Sequence, residues 1–115
     1  MRYLALIYSE ESAEPEPMTP EGMAPWMAFG EEATKRGANP VGDALQPTST
    51  ATTVRMRDGQ MMTTDGPFAE TKEVLGGYYI LECPDLDAAV DLAAKIPAAE
   101  YGSIEVRPIM EIPDA

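Results

Sequence analysis

The sequence predicts a single α+β domain over residues 1–115, a ferredoxin-like split βαβ sheet with an added β-hairpin. Three observations lead there. Strand- and helix-patterned segments follow one another in the order β-α-β-(hairpin)-β-α-β, an Asp58-Gly59 pair separates two extended runs near the middle, and two of the strands are apolar on both faces. A chain of 115 residues is enough for one core, burying roughly two-thirds of its unfolded surface.

From Arg2 to Ser9, alternation sets Leu4, Leu6 and Tyr8 on one face and Tyr3, Ala5 and Ile7 on the other. Glu10 to Met18 is rich in Glu and Pro, lacks a period and reads as an exposed loop; its glutamates 10, 11, 14 and 16 match no calcium loop. Thr19 is placed to cap a helix over Pro20 to Arg36, with Pro20 at the first helical position and Glu21 against the positive end of the dipole. Met23, Trp26, Met27 and Gly30 form its expected core stripe, and Gly37 its stop. Val41 to Leu45 reads as a short strand and Gln46 to Ala51 as a loop.

Asp58-Gly59 is a two-residue hairpin turn, which fixes the register: Arg57 faces Gln60, Met56 faces Met61, Arg55 faces Met62 and Val54 faces Thr63. One hairpin face is apolar through Val54, Met56 and Met61; the other carries Arg55 and Arg57. Asp65-Gly66-Pro67-Phe68 ends the hairpin in a turn, Ala69 to Leu75 is charged and irregular, and Tyr78 to Cys83 is a strand apolar on both faces. Pro84-Asp85 caps a second helix, Leu86 to Ile96, with Leu86, Ala89, Val90 and Ala93 facing the core and Pro97 ending it. The last strand alternates Ile104, Val106, Met110 and Ile112 against Glu105, Arg107 and Glu111. Two helices cover one face of such a sheet, so the two-faced strands call for a second copy packed sheet to sheet, and a homodimer is expected.

Twenty acidic against eight basic residues give a net charge of −12, which repels nucleic acid and anionic membranes; neither is expected as a partner. No apolar run approaches the roughly 20 residues of a membrane-spanning helix. Ser9-Glu10-Glu11 follows the first apolar stretch in place of a cleavage site, and lone Cys83 rules out an internal disulfide, so the expected compartment is the cytoplasm. Absence of histidine excludes His-based acid–base chemistry, histidine metal sites and Ser–His or Cys–His nucleophiles. No cofactor and no metal are expected, and any catalysis falls to Asp, Glu, Lys, Arg, Tyr or Cys83.

The run Asp65-Gly66-Pro67-Phe68-Ala69-Glu70-Thr71-Lys72-Glu73, followed by Leu75-Gly76-Gly77-Tyr78-Tyr79, resembles the DGPF branch of the YCII-related family. The opening Met1-Arg2-Tyr3, the Pro97-Ala98-Ala99 segment and the closing Val106-Arg107-Pro108-Ile109-Met110-Glu111 resemble it too. This resemblance implies a dimeric α+β barrel built from ferredoxin-like subunits. For the wider family it implies a histidine paired with an aspartate, and one relative is a dehydrochlorinase acting on a chlorinated hydroxyquinol; this chain has no histidine and so lacks half of that pair. Relatives of the branch also resemble proteins found beside extracytoplasmic-function sigma factors, which implies a regulatory association.

Asp65 is the candidate catalytic residue. Either strand alternation carries its carboxyl to the apolar side, where desolvation raises its pKa, or it opens the turn and bonds nearby backbone amides. Pro67, Phe68, Glu70, Lys72 and Arg107 are the candidate substrate-binding residues. Phe68 either lines a pocket or anchors its loop in the core, and Lys72 either binds an anion or pairs with Glu70 or Glu73. Arg107 offers its fork to a carboxylate or phosphate, or pairs with Glu105, Glu111 or an acid of a partner chain. Two functions stand: a dimer that binds a small aromatic or anionic molecule, with Asp65 as acid or base, and a non-catalytic sensor or interaction module associated with sigma-factor regulation.

Overall fold

The computed structural model describes residues 1–12 and 18–113. Residues 13–17 of the expected Glu/Pro loop, with Glu14 and Glu16, lie outside the described residues. The elements are β1 (Arg2–Glu10), α1 (Pro20–Lys35), β2 (Val41–Ala44), β3 (Thr52–Arg57), β4 (Gln60–Asp65), β5 (Glu73–Glu82), α2 (Leu86–Ala93) and β6 (Ser103–Pro108), with 3₁₀ turns at Thr48–Thr50 and Pro97–Glu100.

Local chemistry sets the helix ends. Thr19 accepts the Gly22 amide at 3.1 Å and Asp85 accepts that of Ala88 at 2.9 Å, so each satisfies one of the donors that a helix N-terminus leaves orphaned. At the end of α1, Gly37 sits at φ +76°, its amide bonds to Thr34 and that of Ala38 bonds to Ala33, a Schellman closure that needs a residue tolerant of positive φ.

Four strands form an antiparallel sheet in the order β2-β5-β1-β6. β1 connects to β2 through α1 with β5 lying between them, and β5 connects to β6 through α2 with β1 between them, so two split βαβ units interleave. Tyr3, Ala5 and Ile7 of β1 and Leu81 of β5 are buried on one face against Phe29 and Ala33 of α1 and Ala89, Leu92 and Ala93 of α2. Leu4, Leu6, Tyr8, Tyr78 and Ile80 share the opposite face, which carries no helix and leaves them half-buried.

The hairpin β3–β4 forms its own two-stranded sheet in the predicted register, Arg57 to Gln60 through Val54 to Thr63, with Asp58 and Gly59 at φ 52° and 74° as a type I′ turn requires. Val54, Met56, Met61 and Met62 are exposed on it. The radius of gyration, 16.3 Å, exceeds the about 13 Å of a compact chain of this length, and the molecule is a slab of 48 × 45 × 20 Å: one helix layer on one sheet, with the hairpin as an arm.

Several boundaries and faces differ from expectation. The core face of α1 is Trp26, Phe29 and Ala33; Met23 and Met27 are exposed, because the first turns of the helix overhang a cleft and only the later turns press on the sheet. In α2 the core residues are Ala89, Leu92 and Ala93, followed by Ile96 beyond the helix, while Leu86 and Val90 stay half-exposed on the outer side. The regular helix ends at Ala93, and Pro97 opens a 3₁₀ turn instead of a loop. β5 starts at Glu73, inside the segment expected to be irregular, because backbone pairing with β1 continues through Val74 and Leu75 across a bulge at Ile7/Tyr8. β6 stops at Pro108, which cannot donate to the ladder, and Met110 and Ile112 beyond it are exposed. Among the described residues no helix is long and apolar enough to cross a membrane.

Candidate functional site

A cleft of about 350 Å³ opens between the first half of α1 and the β2–β5 edge of the sheet. Its floor is built from residues without bulk: Gly42 and Ala44 on β2, Gly76 and Gly77 on β5. Close approach of the strands requires glycine at Gly42 and leaves little room beyond it at Gly77. A Cβ at Gly42 would meet the Tyr78 carbonyl oxygen at 2.2 Å, and one at Gly77 would meet the Asp43 carbonyl oxygen at 3.0 Å. Met18, Met23 and Trp26 form the helix-side wall, Tyr79 the sheet-side wall, and Ala98 with Tyr101 closes the end beside the 3₁₀ turn.

Tyr79 is held in place by Phe29, with ring centroids 4.9 Å apart and planes tilted at 50°, a geometry favoured by aromatic quadrupoles. Burial pushes its phenol above the ordinary range. Asp43 and Tyr78 also border the cleft, but register places them opposite each other with their side chains on the open sheet face. There the Tyr78 hydroxyl donates to Asp43 Oδ2 at 2.8 Å, a bond that raises the Tyr78 pKa and ties β2 to β5.

The residues singled out from the sequence lie elsewhere. Asp65 is the last residue of β4, opposite Thr52 and on the hairpin face of Val54, Met56 and Met61. It is exposed, and its carboxylate has no hydrogen bond or ion pair among the described residues. The turn after it is held by backbone: the Gly66 amide donates to Ala51 O at 2.7 Å, and Thr53 Oγ1 donates to Gly66 O at 2.9 Å. Pro67 and Glu70 are exposed, and Phe68 is 77 % exposed, so it does not anchor its loop within one chain as expected. Lys72 pairs with Glu10 at 3.3 Å, not with Glu70 or Glu73; Glu73 instead accepts from Ser103. Arg107 lies on the open sheet face and pairs with Glu105 at 2.5 Å, which raises its pKa further. None of these six residues lines the cleft.

Met18, Met23, Trp26, Tyr79 and Tyr101 are the cleft-lining residues that sequence reasoning missed or assigned to packing. The usable signal was the cluster of glycines at 42, 76 and 77 on what prove to be neighbouring strands, since missing side chains on adjacent strands leave a hollow. Cys83 is a buried core residue, and desolvation raises its thiol pKa. Among the described residues no three His, Cys, Asp or Glu side chains gather in a group that could hold a metal ion.

A family model described as YCII-related domain matches residues 1–113. An uncharacterized protein, R00369, of Rhizobium meliloti (strain 1021) is 48% identical over 67 residues, which are 56% of this chain and 54% of that protein. The match thus spans about half the length of this curated relative.

Proposed function

The chain belongs to the YCII-related family, and from that premise we propose that it is a small-molecule-binding subunit of a homodimer. In this reading it is a ferredoxin-like subunit of a dimeric α+β barrel, a member of the DGPF branch, and its ligand sits in the cleft between α1 and the β2–β5 edge. The observation that carries the binding reading is the cleft itself. Its volume of about 350 Å³ lies in the range of ligand pockets, and it combines three aromatic side chains and two methionines with a flat glycine floor, a shape suited to a planar ring.

The dimer rests on the open sheet face. Leu4, Leu6, Tyr8 and Ile80 lie at its centre, and the Arg107–Glu105 and Lys72–Glu10 pairs lie toward its edges, the arrangement of apolar centre and polar rim found in interfaces. Sedimentation of the protein and of Leu6→Glu tests it: a dimer that becomes a folded monomer supports the reading, and a wild-type monomer removes it.

Trp26 is the only tryptophan in the chain, so its emission reports on the cleft wall. Titration with a panel of small aromatic compounds is expected to give a saturable change that weakens in Tyr101→Ala. A complete panel without any saturable change sinks the binding reading. The second reading, a non-catalytic sensor or interaction module associated with sigma-factor regulation, is favoured by one observation: Asp65, Glu70, Lys72 and Arg107 stand outside the cleft. Catalysis by Asp65, with Lys72 and Arg107 orienting a substrate, requires those residues at the ligand, which within one chain they do not reach.

A further inference from the structure

We infer that the cleft is selective by charge, taking uncharged or cationic aromatic compounds and rejecting carboxylates and phosphates. This rests on the reading of the cleft as the ligand site and narrows the ligand class. Among the described lining residues there is no lysine and no arginine, and the one carboxylate, Asp43, is turned to the open sheet face and bonded to Tyr78, so no cationic side chain among them faces the cleft. Basic side chains near the sheet are already paired elsewhere: Arg107 with Glu105, Lys72 with Glu10, Arg2 with Glu111. An anionic group entering the cleft therefore loses hydration without meeting an opposite charge, which is unfavourable in any partly desolvated site.

Two further effects act in the same direction. The chain carries a net charge of −12, whose field reaches over a Debye length of about 8 Å at physiological salt. Trp26, Tyr79 and Tyr101 line the cleft, and the π system of an aromatic ring attracts cations and repels anions at its face. Lys72 and Arg107, the cations expected from the sequence to receive an anionic substrate, are outside the cleft and cannot reverse this balance.

A near-isosteric charge series on the full-length protein tests the inference: benzamidine, benzamide and benzoate at pH 7.5 and low salt, followed by Trp26 emission. Benzamidine is expected to bind no more weakly than benzamide, and benzoate at least tenfold more weakly than benzamide. Ala44→Lys, which places an ammonium group on the cleft floor at an exposed edge-strand position, should bring benzoate to within threefold of benzamide. Benzoate binding as tightly as benzamide to the unaltered protein overturns the charge selectivity and leaves the cleft as a ligand site. A gap unchanged in Ala44→Lys also overturns it, because the discrimination would then not arise from charge. If none of the three compounds and no member of the wider aromatic panel binds, the ligand-site reading itself fails and the inference falls with it.

Discussion

Replacing Gly42 by alanine should destabilise the protein, although the same change at Gly30 should stabilise it. Both substitutions add one methyl group and both restrict the unfolded chain, a gain of about 0.4–1 kcal/mol wherever the native backbone accepts it. At Gly30 nothing lies within 4 Å of the new Cβ, and the position is in the interior of α1, so the full advantage of alanine over glycine in a helix, about 0.5–1 kcal/mol, is expected. At Gly42 the new Cβ would lie 2.2 Å from the Tyr78 carbonyl oxygen and 2.7 Å from Tyr79 Cδ1, against a floor of 3.0 Å for real contacts. The obstacle at Tyr78 is backbone, so β2 must move away from β5 by about 0.8 Å, loosening the edge of the sheet. Overpacking of this kind costs about 1–3 kcal/mol, which outweighs the entropic gain and leaves a net loss of about 1–2 kcal/mol. For 115 residues the unfolding entropy is about 0.24 kcal/mol/K, so Gly42→Ala should lower Tm by about 4–8 °C and Gly30→Ala raise it by about 2–4 °C. Thermal denaturation of the two variants beside the parent is the assay. A Gly42→Ala protein as stable as the parent would show that β2 shifts freely and that close strand approach does not shape the cleft floor.

Phe29 is 3 % exposed and packs on Tyr79, so Phe29→Ala should lose about 3–5 kcal/mol in chemical denaturation and weaken ligand-induced changes in Trp26 emission as the sheet-side wall loosens. Glu11 accepts hydrogen bonds from the Thr48 hydroxyl and, at 2.9 Å, from the Thr48 amide, and these hold its carboxylate below its ordinary value of 4.5. A depressed carboxylate contributes stability above its unfolded value and loses it as pH falls through its folded value, so denaturation midpoints measured from pH 6 to pH 3 should fall less steeply in Glu11→Gln than in the parent. Asp65→Asn alters an exposed residue without partners, so stability should change by less than about 0.5 kcal/mol and Trp26-monitored affinity should stay the same; loss of binding would bring Asp65 into the site.

What could be read from the sequence was local. The Asp58-Gly59 turn gave the hairpin register because a type I′ turn leaves the flanking strands one way to pair, and Thr19, Gly37 and Asp85 marked helix ends because capping chemistry acts within a few residues. Faces were harder. Met23, Trp26, Met27 and Gly30 make as good an apolar stripe as Trp26, Phe29 and Ala33; the choice depends on how α1 tilts over the sheet, and Ala33 wins because a small residue lets the helix approach closely. The start of β5 was missed because Glu73 and Val74 are held by backbone pairing with β1, to which their side chains give no clue. The cleft was beyond sequence reading for a related reason: it is a space between α1, β2, β5 and the Pro97–Glu100 turn, and no segment alone encodes a space. The Asp65 to Lys72 run carries ionisable chemistry, yet it lies on the arm and in the loop after it.

The interleaved strand order also bears on how the chain acquires its shape during synthesis. β1 is made first and occupies the interior of the sheet, but its two neighbours are β5 and β6, the last strands to be made, with Tyr3 paired to Leu81 on one side and Pro108 on the other. Until the ribosome has delivered β5, which ends at Glu82, β1 has no strand to pair with, and its second edge stays open until β6 arrives at Ser103–Pro108. Pairings this distant in sequence slow folding, because a large loop must close before any contact rewards it. A nascent or truncated chain stopping before β6 would therefore leave one edge of β1 unpaired beside its open apolar face, the kind of surface that chaperones bind and that seeds aggregation.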